Sequence, residues 1–217
     1  MKISTVYRVT LVAACALAAL SPSQAFAAQS PGCPKKNIAY LNAQDNQEDA
    51  GAKVLAAQQA LNKARNDRDR LDRIVDTGDQ LKDVFYSVRP YVTDYTDDDV
   101  KRIEPLGGAA DKVVMASDDS PRALGAAAAK EADLAQKAVD GLSDQAKKSN
   151  PELQPTAQEL IKRLREDAEA ARKMDSFPAI DARQAELDTA VKEKTDADNA
   201  VRPARDAYRD CLAKANG

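Results

Sequence analysis

Val54–Ala64 reads VLAAQQALNKA and Leu187–Val201 reads LDTAVKEKTDADNAV, and the two stretches carry one heptad register. On the N-terminal side Tyr40, Val54, Leu61 and Val75 fall at multiples of seven, with Ala43, Ala50, Ala57, Ala64 and Leu71 three positions on. On the C-terminal side Ile180, Leu187, Val201 and Tyr208 repeat the pattern, with Ala190, Ala197, Ala204 and Cys211 three positions on. Apolar residues spaced alternately by three and four make a narrow stripe on a helix, the seam of a coiled coil. In an antiparallel pair an a position faces a d position, so the numbers of facing residues share a constant sum. That sum is 244 for Val54 with Ala190 and for Ala57 with Leu187, and again for Cys33 with Cys211. The sequence therefore predicts an all-α protein: an antiparallel two-helix coiled-coil stalk closed by a terminal Cys33–Cys211 disulfide.

The first residues predict export. Lys2 and Arg8 are a positive leader, Val9–Leu20 an apolar run, and Ala25-Phe26-Ala27 a small-residue cleavage site. Val12–Cys15 offers a competing reading, a lipobox in which Cys15 is lipidated, but the apolar run continues past that cysteine. The run is too short to span a membrane. Cleavage after Ala27 removes two of the 32 basic residues and none of the 35 acidic ones, leaving a net charge of −5. That balance argues against nucleic acid and anionic membranes as partners. Two cysteines remain, and an oxidising compartment pairs them.

Between the stalk segments the chain reads as further helices. The expected layout is a signal peptide at 1–27, a tail at 28–34, stalk helices at 35–76 and 178–213, and a helical insertion at 77–177. Gln47 and Arg68 are polar breaks in the seam. Thr77 and Gln80 have capping-box spacing and suggest a new helix, the alternative being one continuous helix through Gly78. Thr96 should cap a short helix opened by Asp97-Asp98-Asp99, with Val100 and Ile103 facing inward. Pro105 and Gly107-Gly108 should break it in a turn. Ser120-Pro121 marks a helix to about Lys148, and Asn150-Pro151 marks another whose start Pro155 delays by a turn. Leu153, Ala157, Leu160, Ile161, Leu164, Ala171 and Met174 form its apolar face. Pro203 falls inside the last helix and should kink it.

No catalytic residue, metal ligand or cofactor-binding motif is expected. The chain has no histidine, which removes the commonest general base and metal ligand. Asp94, Asp97, Asp98 and Asp99 fail as a calcium loop, since the twelfth position from Asp94 is Pro105 and the sixth is not glycine. They read instead as a cap with acids complementing a helix dipole. Ser143 and Lys147, one turn apart, have a spacing too common in polar helices to imply catalysis. Tyr86, Tyr91 and Tyr95 concentrate aromatic area and form a candidate contact surface, or else the insertion's core. The expected function is protein–protein interaction by an exported, non-enzymatic helical protein, with self-association the simplest case. The alternative is a small apolar-ligand bundle walled by Leu81, Phe85, Val88, Leu160, Ile161 and Leu164.

Overall fold

The computed structural model describes residues 33–86 and 95–215. The expected signal peptide with Cys15, most of the tail, Val88, Tyr91 and Asp94 lie outside the described residues. Seven helices and no strand are found among the described residues: α1 (Pro34–Tyr86), α2 (Asp97–Ile103), α3 (Pro105–Ala116), α4 (Pro121–Gly141), α5 (Asp144–Ser149), α6 (Leu153–Arg172) and α7 (Ile180–Ala215). None of them is long and apolar enough to cross a membrane.

α1 and α7 pair antiparallel in the expected register, joined by the Cys33–Cys211 disulfide with Cα atoms 6.1 Å apart. Register 244 at the seam places g positions opposite one another at 246 and e positions at 249. Lys53 Nζ donates to Glu193 Oε2 at 2.9 Å on the g flank, and Arg65 Nη2 to Gln184 Oε1 at 3.1 Å on the e flank. Their residue numbers sum to 246 and 249. Tyr40 and Tyr208 stack near the clasp with ring centroids 6.3 Å apart. Gln47 is accommodated in the seam by donating to Asp198 at 2.8 Å. Arg68 is half-exposed and pairs with Asp72 on its own helix, just past the point where α7 begins.

α1 runs without interruption through Thr77 and Gly78, for about 80 Å at the standard rise. Packing decides this over the local capping signal: Ile74, Thr77, Gly78, Leu81 and Phe85 are all buried in the insertion. A helix end there would leave backbone groups unsatisfied inside the core. Beyond α7's reach, α1 becomes the spine against which α3, α4 and α6 pack. Arg73 grips Asp167 of α6 with two hydrogen bonds of 3.0 and 3.1 Å. α4 and α6 approach so closely that a Cβ on Gly125 would lie 2.6 Å from the Ala168 carbonyl oxygen.

Three local expectations are corrected. Gly107-Gly108 is no turn; it lies in the first turns of α3, behind Pro105. Gly107 leaves room for the Tyr86 hydroxyl, 3.0 Å from where a Cβ would sit, and that hydroxyl donates to the Glu104 carbonyl at 2.9 Å. The helix from Pro121 stops at Gly141 rather than Lys148, because Leu142 turns out and Ser143 caps the separate helix α5. Asn150 ends α5 instead of capping α6, which opens at Leu153 with Pro155 in its first turn. A proline costs no hydrogen bond there.

Candidate functional site

Three features outside ordinary packing bear on function: the stalk flanks, the small helix α2, and a buried carboxylate on α4. In the stalk, two helices alone cannot enclose their seam, so Tyr40, Val54, Ala57, Val201, Ala204 and Tyr208 are only partly buried. The two flanks differ. On the g side Lys53 pairs with Glu193, whose hydrogen bond and charge raise the Lys53 pKa. On the e and b side the register gathers Leu41, Gly51, Leu55, Gln58 and Val191. Leu55 is 61% exposed and Val191 46%, and a Cβ on Gly51 would meet open space. Heptad reading named the seam residues but not this flank. The signal was present as leucines at b positions, where solvated coils carry polar residues.

α2 holds the expected Thr96 cap, now as a full capping box, since the Thr96 and Asp99 side chains each accept from the other's backbone N–H. Asp97 and Asp98 point to solvent, whereas Asp99 is fully buried, and Val100 is only partly so. Ser143 donates to Asp99 twice, from its backbone N–H at 2.8 Å and its hydroxyl at 2.7 Å. Burial alone would raise the Asp99 pKa. The hydrogen bonds from Ser143, then Thr96, outweigh burial and hold the carboxyl below the ordinary range. Ser143 thereby locks α2 to the start of α5 while accepting from the Ala146 N–H. No group of three or more acidic or cysteine side chains suited to a metal converges among the described residues.

Of the three tyrosines, Tyr86 and Tyr95 flank α2 and pack against the core while partly exposed. The Tyr95 hydroxyl is buried without a hydrogen-bond partner, and burial, then the Asp99 charge, raises its pKa. The residues considered as walls of an apolar pocket, Leu81, Phe85, Leu160, Ile161 and Leu164, are close-packed members of one core cluster. Sizeable surface clefts lie elsewhere. One of about 500 Å³ is lined by Arg68, Asp72, Asp76, Asp118 and Phe177 among others, where α1 leaves α7. Another, of about 440 Å³, lies by Lys63, Asp67 and Met174.

Glu131 of α4 is fully buried, and neither carboxyl oxygen has a hydrogen-bond partner. Its Oε2 lies against α1 at Gly78, 2.7 Å from where a Cβ would stand. Burial, reinforced by the Asp79 charge and partly opposed by Lys82, pushes its pKa up to about 7. Sequence reasoning passed over this residue. Its signal was its place on the apolar face of α4, three residues after Ala128 and four before Ala135. No family model, curated protein or solved structure matches the chain.

Proposed function

We propose that this is an exported helical protein that works by protein–protein contact, using the e and b flank of its stalk, with a second copy as the simplest partner. The observation carrying this reading is the asymmetry of the stalk. Both flanks carry a polar bridge, Lys53–Glu193 on one and Arg65–Gln184 on the other, but the e and b flank also presents Leu55 and Val191 in water beside the open notch of Gly51. A two-helix coil with an apolar flank is completed by a further helix, which buries that flank and the half-open seam together. The disulfide supports an oxidising compartment, as does the leader expected to be cleaved near Ala27; lipidation at Cys15 is the lesser alternative. An acidic surface supports a protein rather than a nucleic-acid partner. No specific observation favours the apolar-ligand reading. Light scattering on the mature chain, with and without reductant, tests the proposal. Association that Leu55→Asp abolishes supports it, and a monomer at every concentration removes self-association.

A further inference from the structure

Glu131 and Gly78 are each unfavourable choices taken alone. A carboxyl without partners is costly to bury, and glycine in mid-helix weakens the helix. Together they make one contact. The missing Cβ lets α1 lie directly over the carboxyl, and α4 keeps that carboxyl fully out of water. The neutral acid tolerates such a place far better than the carboxylate, which has no donor there. We propose that Glu131 and Gly78 form a proton-operated latch between α1 and α4, sealed while the carboxyl is protonated and opened to water when it ionises.

The charges around the latch are few. From α1, Asp79 opposes ionisation and Lys82 favours it, but Lys82 is itself held by Asp79 at 2.8 Å. Asp111 of α3 acts on Lys82. Cations of the packed elements are engaged elsewhere: Arg165 of α6 with Asp133, Arg102 of α2 with the Gly141 carbonyl, and, beside Thr77, Arg73 with Asp167 and Arg163 with Glu159. Lys82 favours ionisation but does not hydrogen-bond the carboxyl, so an ionised Glu131 lacks a donor among the described residues and water must enter to supply one. The place where it enters is where α1 meets α4 at Gly78 and Glu131, within the core cluster that joins Ile74, Leu81 and Phe85 of α1 to residues from Leu124 to Val139 of α4. The stalk lies outside this zone.

Amide hydrogen exchange read by mass spectrometry across pH, corrected for base catalysis, tests the latch. Opening in peptides from 74–86 and 124–139 should grow on the order of a hundredfold as pH rises from 4.5 past about 7. Stalk peptides should hold their protection, and the gain should vanish in Glu131→Gln. Glu131→Leu repeats the test without a buried amide. NMR of the wild-type carboxyl gives its titration midpoint directly. Identical exchange profiles in wild type and both variants overturn the proposal, and so does a midpoint near 4.5. A raised midpoint with unchanged protection also overturns it, since that describes a buried acid with no latch.

Discussion

Asp99 and Glu131 are equally hidden from water, yet their environments push their protonation in opposite directions. Asp99 accepts hydrogen bonds from Ser143 and Thr96, whereas Glu131 accepts none. The consequences for stability have opposite signs. Asp99 contributes stability above its ordinary value of 3.8 that is lost as pH falls through its lower folded value. Glu131 contributes stability below 4.5 that is lost as pH rises through about 7, on the order of 3 kcal/mol in all. Chemical denaturation across pH should therefore find wild-type stability highest near roughly pH 4.5, with the fall toward pH 8 absent in Glu131→Gln. Gly78→Ala should destabilise most at low pH, where it displaces the neutral acid. The Thr96 cap was legible from local spacing alone. The Ser143 bond to Asp99 was not, because it joins residues 44 apart through tertiary structure.

At the scale of elements, the heptads located α1 and α7 because a two-helix seam repeats strictly and the cysteines confirm its register. Helix ends inside the insertion were less legible. Thr77 carries a capping signal that its burial overrides, Gly107-Gly108 a breaking signal overridden by burial of Leu106, Ala109 and Ala110 around it, and Ser143 ends a helix at the demand of a carboxylate on another element. Where α4 meets α6, Gly125 is set by backbone contact, so Gly125→Ala should cost about 1–3 kcal/mol in thermal unfolding. Leu160→Asp places an unpaired charge in the core and should unfold the insertion, seen as lost protection in α4 and α6 with α7 still helical. Cys211→Ser opens a crosslink spanning 178 residues. It should lower stability by up to about 5 kcal/mol on the chain-entropy account, while circular dichroism at room temperature stays unchanged.

Across the whole molecule, a long spine carries a packed helical body at one end and a two-stranded, clasped stalk at the other. The body buries most of its apolar residues and exposes Val114 and Met115 on α3; the stalk leaves Leu41, Leu55 and Val191 in water on one flank. The architecture was legible because both sulfurs and seams obey one register. The flank was not, since exposure depends on which sides of two helices are left uncovered. The most direct test of the account is light scattering on the mature protein over a wide concentration range, beside the Leu55→Asp, Val191→Asp double variant. The wild type should associate reversibly, and the double variant should lose that association while keeping its helical content. A wild-type monomer throughout, or association unchanged in the variant, would contradict it.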